Sequence, residues 1–459
     1  MESKSIQEII MAQRAYFAKG HTLDVEFRKR QLIKLRQSVK KYEEEILEAL
    51  KRDLNKPRFE AYGTEIGLVL DEAKFALRHL KSWAKPKRVP TSVINFPSIS
   101  RIYPEPYGVT LIMSPWNYPV LLTLDPLVGA ISAGNCAVVK PSNYSPHVSA
   151  VLKKMLGEIY SPEYVAVVEG GREENKSLLE QKFDLIFFTG SVSVGKMVME
   201  SASKNLTPVC LELGGKSPCI VDGTADIALA AKRIVWGKYL NAGQTCVAPD
   251  YLYVQEEVKD ELLERMKHYI KRFYGEDAQC SENFPRIVNQ KHFERLAGLL
   301  ENGEVVCGGV FDRERLQIAP SILDGVTWSS PVMQEEIFGP ILPVLTFRDL
   351  RQAVEEIKER PKPLAGYLFT GSRENERYLL QHLSFGGGCV NDTVMHLVSS
   401  HMPFGGVGNS GMGGYHGKDS FLAFSHRKSV LKKARWLDMP MRYAPYKDLY
   451  YRVMKGLLK

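Results

Sequence analysis

Two successive doubly wound α/β domains, followed by a small β region, are the fold that this sequence predicts. Three observations carry the prediction. The chain has 459 residues, too many for one simple core, so two or more domains are expected. From Tyr107 onward, short runs that are apolar on both faces alternate with helix-length segments, as in a buried parallel sheet covered by helices. The alternation starts again near Leu211, which puts a domain boundary close to Glu212.

In chain order, the first stretch is helical. Leu32, Leu35, Val39, Tyr42, Ile46 and Leu50 recur at three- and four-residue steps, with Lys, Arg and Glu between them. A second helix follows Gly63, with Ile66, Val69, Leu70, Ala73, Leu77 and Leu80 on one face, and Lys85-Pro86 ends it. The Pro- and Ser-containing segment up to Pro106 reads as a connector or short hairpin. Strands follow at Val109–Met113, Ala137–Val139, Val165–Val168 and Leu185–Phe188. The second cycle has strands at Pro218–Val221 and Tyr251–Val254, with helices over Ile227–Leu240 and Val258–Phe273. Toward the carboxyl end, Gly386-Gly-Gly388, Gly405-Gly406 and the glycines from 411 to 414 imply tight turns and close backbone approach.

Composition excludes several classes. Hydrophobic residues make up 44% and charged residues 25%, ordinary for a soluble globular protein. The formal charge is +8, but ten Lys/Arg against two Asp lie between Arg427 and Lys459, so residues 1–426 sum to zero. A neutral body argues against a nucleic-acid partner and makes the cationic tail a separate question. The seven cysteines (Cys136, Cys210, Cys219, Cys246, Cys280, Cys307, Cys389) are odd in number and widely spaced, with no C-x-x-C pair or His-rich cluster. That fits reduced thiols and no metal site. The leading MESKSIQEII has no signal-peptide apolar core and no run is long enough to span a bilayer, so a cytoplasmic protein is expected.

Chemistry concentrates in four segments. Asn241-Ala-Gly-Gln-Thr-Cys246-Val-Ala-Pro sits between a predicted helix and a strand, a loop on a rigid scaffold where a nucleophile can be exposed. A lone cysteine is more often a buried structural thiol, and Cys136, Cys219 and Cys389 keep that reading. An unbridged thiol in a polar, Gly-containing loop is the better nucleophile candidate. Ser114-Pro-Trp116-Asn117-Tyr-Pro lies where a strand ends and a helix begins. Val209-Cys-Leu-Glu212-Leu-Gly-Gly puts a carboxylate before a double glycine, and Gln334-Glu-Glu336-Ile-Phe338-Gly-Pro adds a carboxylate and an aromatic.

With these four motifs in order, the sequence resembles the aldehyde dehydrogenase superfamily from about residue 20 to about 430. It looks most like the class 3 and fatty aldehyde dehydrogenase branch, on its short amino terminus, Cys389-Val-Asn-Asp-Thr-Val-Met-His396 and Met402-Pro-Phe404-Gly-Gly-Val-Gly-Asn-Ser-Gly-Met-Gly. The resemblance implies a Rossmann-like dinucleotide-binding domain (1–82 and 105–211) and a catalytic domain (212–395). It also implies oligomerisation or bridging segments (83–104 and 396–430), with a basic tail (431–459) beyond them. It makes Cys246 the nucleophile, Asn117 and the Cys246 N–H the oxyanion donors, and Glu212 the base that activates water against a thioester. Glu336 and Phe338 would hold the nicotinamide ribose and ring, with Glu336 the alternative base.

Phe187-Phe-Thr-Gly190-Ser191-Val-Ser-Val-Gly195-Lys reads as strand, glycine turn and helix start. A helix amino terminus presents free N–H groups to a pyrophosphate, and the family uses this G-x-x-x-x-G form, with Ser191 and Trp116 as phosphate contacts. By resemblance Lys140 binds the adenosine ribose. Asn143 stands where many NAD-preferring relatives have Glu, and a neutral amide does not repel a 2′-phosphate, so both NAD and NADP are expected.

After Pro445, Tyr446, Leu449, Tyr450, Val453 and Leu457 line one helical face, with Lys447, Arg452, Lys455 and Lys459 nearby. Such a helix can lie on an anionic membrane or dock on the protein or its dimer partner; docking is the preferred reading. The branch implies a homodimer and a medium- or long-chain aliphatic or aromatic aldehyde as substrate. An acylating, coenzyme A-dependent relative and a non-catalytic protein on this fold are the alternatives. Glu212 disfavours the first, and the retention of Cys246, Asn117 and Glu212 disfavours the second.

Overall fold

A computed structural model describes residues 3–458. Its first large sheet has six strands in the order Gly411–Met412, Val209–Glu212, Leu185–Thr189, Val109–Met113, Cys136–Lys140, Val165–Val167. All neighbours are parallel except the edge strand Gly411–Met412, which runs antiparallel to Val209–Glu212. Every residue of Val109–Met113, Cys136–Lys140 and Leu185–Thr189 is buried, as required of strands covered by helices on both faces. The chain moves outward from Val109–Met113 to Val165–Val167, then returns to pair Leu185–Thr189 on the other side. That reversal opens a crevice at the carboxyl ends of the strands, the usual ligand position in open α/β sheets.

The second sheet has seven strands, ordered Glu304–Cys307, Ser321–Asp324, Ile341–Phe347, Tyr251–Gln255, Pro218–Val221, Ala365–Phe369, Gly387–Val390. Only Glu304–Cys307 is antiparallel to its neighbour. The second α/β cycle therefore runs from Pro218 to Val390, and Glu212 closes the last parallel strand of the first sheet.

Lys87–Val89 and Ser98–Pro106 form the hairpin expected of the connector, and Ser425–Lys433 adds a third antiparallel strand to it. This strand crosses the 430/431 boundary drawn from sequence. Arg427, Lys428, Lys432 and Lys433 lie in a sheet, and the tail proper begins beyond them. The terminal helix is Asp448–Leu457, with none of its residues buried. Of its apolar face, Tyr446, Leu449, Val453 and Leu457 are exposed and Tyr450 is half-buried. Lys459, read as part of that basic face, lies outside the described residues.

The long amino-terminal helical pattern divides into Val25–Lys41 and Glu43–Leu54. Tyr42 leaves the helical region at φ −94° and ψ 10°, and its hydroxyl donates to Glu158 at 2.5 Å. Asp24 caps the first of the two helices, accepting from the N–H groups of Glu26 and Phe27. Helix Leu121–Ala133, which starts just after Asn117, is buried along its whole length. It gives that residue an immobile base.

Candidate active site

Cys246 follows helix Ile227–Tyr239 through a strained turn. Asn241 and Ala242 both have φ 52° and Gly243 has φ 74°, so three consecutive residues are left-handed. Two non-glycine residues there cost about 1–3 kcal/mol each, and side chains from distant segments hold them. The Asn241 N–H donates to Glu60 Oε1 at 2.9 Å, and its side-chain Nδ2 donates to the Asn117 carbonyl at 2.8 Å and the Gln244 carbonyl at 3.2 Å. Gln244, fully buried, donates to the carbonyls of Asn241 (3.1 Å) and Arg286 (3.0 Å) and accepts from the Val288 N–H (3.1 Å). A Cβ on Gly243 would fall 2.2 Å from the Gly339 carbonyl oxygen, so only glycine fits.

Asn117 reaches the same place from the end of strand Val109–Met113. Its Nδ2 donates to the Gln244 carbonyl, two residues before Cys246, at 3.0 Å. One amide proton remains for another acceptor. Beneath it lies a pair that sequence reading missed. Lys56 and Glu65 are both fully buried, 2.5 Å apart. The Lys56 ammonium also donates to the Asn117 carbonyl at 3.0 Å and lies 4.2 Å from the Tyr118 ring centroid. Glu65 accepts from the N–H groups of Val120 (2.8 Å) and Leu121 (3.4 Å) at the start of the buried helix. The ion pair thus ties Asn117 to the helix behind it, and removing one partner of such a pair typically costs about 3–5 kcal/mol.

Glu212 is 1% exposed, and neither of its carboxyl oxygens has a hydrogen-bond partner among the described residues. Burial holds it well above the ordinary carboxylate range, so it rests protonated, because an unpaired buried charge is too costly. Glu336, half-buried, is raised to about 8, by burial first and then by Asp250, against a hydrogen bond from the Gly215 backbone. Burial, followed by the charges of Glu336 and Glu212, pushes the Cys246 thiol well up. The thiol is therefore neutral at rest.

Cys246 borders two cavities. One, of about 630 Å³, is lined by Trp116, Gly190, Ser191, Glu336 and Phe338, and includes Asn117. Trp116 and Phe338 meet edge to face with centroids 5.5 Å apart, and Phe338 holds a left-handed φ of 52°. Ser191 caps helix Val192–Ser203, its Oγ accepting from the Val194 N–H. An exposed helix start beside aromatic walls fits a dinucleotide's pyrophosphate and ring. Gly195 does not line this cavity; a Cβ there would come 2.7 Å from Leu213, so the glycine lets the helix pack on the strand end. Lys140, the last residue of strand Cys136–Lys140, and Asn143, in the turn that follows, are not among the lining residues. The Lys140 ammonium donates to the carbonyls of Pro141 (2.9 Å) and Gly170 (2.7 Å), and burial lowers it to about 8. Asn143 is exposed.

The other cavity, of about 500 Å³, is largely apolar, with Leu68, Tyr118, Leu121, Trp236, Phe273 and Phe404 among its walls. Tyr118 is pinned there by a 2.7 Å hydrogen bond to Thr245. One thiol thus borders both the more polar cavity and the more apolar one.

Residues 1–430 match the aldehyde dehydrogenase family. The chain belongs to that family. It is 49% identical to the 4,4'-diaponeurosporen-aldehyde dehydrogenase of Staphylococcus aureus, over 99% of each chain. It is 46% identical to aldehyde dehydrogenase family 3 member H1 of Arabidopsis thaliana, covering 99% of this chain and 95% of that one. The solved substrate-bound state of Staphylococcus aureus AldH superposes with a TM-score of 0.97 at 48% identity, over 99% of each chain. This aldehyde dehydrogenase is an enzyme that oxidises an aldehyde in an NAD(P)-dependent reaction.

Several residues that build the site were not singled out from sequence. Asn241 and Gln244 stood inside the cysteine motif but were read only as its neighbours. Lys56, Glu60 and Glu65 gave no signal. A π-type turn at Tyr62–Ile66 breaks the helical periodicity that would have placed them on one face. In the opposite sense, Gly406-Val-Gly408-Asn-Ser-Gly411 has the G-x-G-x-x-G spacing but forms a short turn leading into the antiparallel edge strand. It is no strand-to-helix phosphate loop.

Proposed function

We propose that this aldehyde dehydrogenase takes a medium- or long-chain aliphatic or aromatic aldehyde, whose tail occupies the apolar cavity while its carbonyl meets Cys246. The observation that carries this reading is that Cys246 is a wall of both cavities. Cys246 loses its thiol proton to solvent and attacks the carbonyl carbon; a C–S bond forms as the C=O π bond breaks to an oxyanion, and reclosure of that C=O then expels the carbon's hydride and leaves a thioester. The free Asn117 amide proton and the Cys246 N–H stabilise that oxyanion, each worth about 3–4 kcal/mol of barrier. NAD or NADP, held by the walls of the cavity that includes Trp116, Ser191, Glu336 and Phe338, would accept the hydride that leaves the carbon. Once the thioester has formed, Glu212, having lost its own proton to solvent, accepts one from water, whose oxygen attacks the carbon; the C–S bond breaks and Cys246 leaves as a thiolate that regains a proton from solvent. Hydrophobic gain of about 0.8 kcal/mol per buried methylene should make kcat/KM climb about fourfold per carbon from acetaldehyde toward decanal. A flat series would remove the tail from this cavity.

Trp116, Gly190, Ser191, Glu336 and Phe338 would hold the cofactor, with Gly195 setting the helix packing. Lys140, which has one donor left, and Asn143 would reach the adenosine ribose. The neutral Asn143 accepts a 2′-phosphate, so both NAD and NADP serve. Asn143→Glu should lower kcat/KM for NADP at least about tenfold relative to NAD, through like-charge repulsion. An unchanged ratio would take Asn143 out of the selectivity.

Glu336 as the base is the second reading. It is favoured by one observation: Glu336 opens into the polar cavity, whereas Glu212 lines neither cavity. Glu212 must turn toward the sulfur before it can act. We also propose a homodimer, with the apolar face of helix Asp448–Leu457 seated on the second copy rather than on an anionic membrane. Co-sedimentation with anionic vesicles that disappears when residues 440–459 are deleted would reverse that preference.

A further inference from the structure

The apolar cavity has an unbalanced wall. Glu60, Asp71, Glu72 and Asp125 border it, and among the described residues no lysine or arginine does. These four carboxyls are not equivalent. Asp125 is 4% exposed and held well above the ordinary carboxylate range by burial, then by Glu72. Glu72, also 4% exposed, is raised by burial despite accepting from the Gly417 N–H at 2.7 Å. Asp71 stands on the exposed rim. Glu60 differs from all three. It is half-buried, one oxygen accepts from the Asn241 N–H in the turn that leads to Cys246, and among the described residues no hydrogen bond occupies the other. Burial raises it to about 7, with the charge of Lys56 acting against that rise. Above neutrality it is ionised. Lys56 does not neutralise it directly, since its ammonium is bonded to Glu65 and the Asn117 carbonyl.

We infer that Glu60 makes the aldehyde cavity selective for tail charge, rejecting aldehydes whose chain ends in a carboxylate and accepting neutral ones of the same length. A carboxylate drawn into this cavity loses solvation and finds no cation on the described walls. It also meets a fixed negative charge at short range, where repulsion in partly buried surroundings is far stronger than in water. A neutral ester of the same shape meets none of these penalties. The inference rests on the reading that the aldehyde tail enters this cavity.

The test is a matched pair of substrates, an eight-carbon ω-carboxy aldehyde and its methyl ester, assayed at pH 8.5. In the native enzyme kcat/KM for the ester should exceed that for the acid by about 100-fold. Glu60→Gln keeps a carbonyl oxygen for the Asn241 N–H and removes the charge. It should shrink the ester-to-acid ratio at least about tenfold, whatever its absolute rate, while Asp71→Asn on the rim should not. Equal use of acid and ester by the native enzyme overturns the inference with no variant needed. So does a ratio that Glu60→Gln leaves unmoved. If the cavity does not hold the tail at all, the failure looks different: the chain-length series is flat for neutral aldehydes.

Discussion

Cys246→Ser should abolish aldehyde oxidation, lowering kcat by at least about 10⁴-fold, on the scale seen when other covalent catalysts lose their nucleophile. A hydroxyl is a far weaker nucleophile than a thiol at neutral pH, and among the described residues no cysteine but Cys246 lines either cavity. Cys136, Cys210 and Cys219 are buried. Burial pushes Cys136 up to about 12 and the other two further still. Hydrolysis of an activated ester should vanish with the oxidation, because both need the same sulfur. Cofactor binding, followed by fluorescence titration, should survive, since the cavity walls at Trp116, Ser191, Glu336 and Phe338 are untouched. Retained ester hydrolysis in the variant would mean that a different residue carries the acyl group.

Glu212→Gln should separate the two halves of the reaction. Thioester formation does not use the Glu212 carboxylate as proposed here, so the first turnover should still release one equivalent of reduced cofactor per site. Steady-state turnover should fall about 10²- to 10³-fold, the typical loss for a missing general base. The pH dependence carries a sign. Burial raises Glu212, so the carboxylate form that accepts water's proton grows as pH rises. Deacylation should therefore accelerate from neutral toward alkaline pH in the native enzyme, and that rise should be absent in Glu212→Gln. Glu336→Gln should mainly raise the cofactor KM. If Glu336→Gln shows the burst followed by stalled turnover and Glu212→Gln does not, the two roles are exchanged.

Much of this architecture was readable from the sequence because burial on both faces leaves a plain mark. Val109–Met113 and Pro218–Val221 are strands within the bounds expected, since a strand between two helix layers must be apolar throughout. Helix Ile227–Tyr239 ends one residue before the expected Leu240. Position along the chain also placed Cys246 and Asn117 in turns at element ends. Tertiary contacts carried what could not be read. Tyr42 breaks a continuous helical pattern while bonded to Glu158, more than one hundred residues away. Lys56 and Glu65 look like ordinary surface charges and are instead a sealed pair behind Asn117. The antiparallel pairing of Gly411 with Glu212 joins segments that no local pattern connects. The thiol was expected to sit in a polar loop, yet its resting surroundings raise rather than lower it.

The central claim is that the acyl group rests on Cys246 and is released by Glu212. Mass spectrometry of Glu212→Gln, quenched during turnover with octanal and NAD, tests it most directly. An octanoyl adduct should accumulate to about one per chain, confined to the peptide that contains Cys246. An adduct on any of the other six cysteines, or none at all when a full equivalent of reduced cofactor has formed, would contradict it.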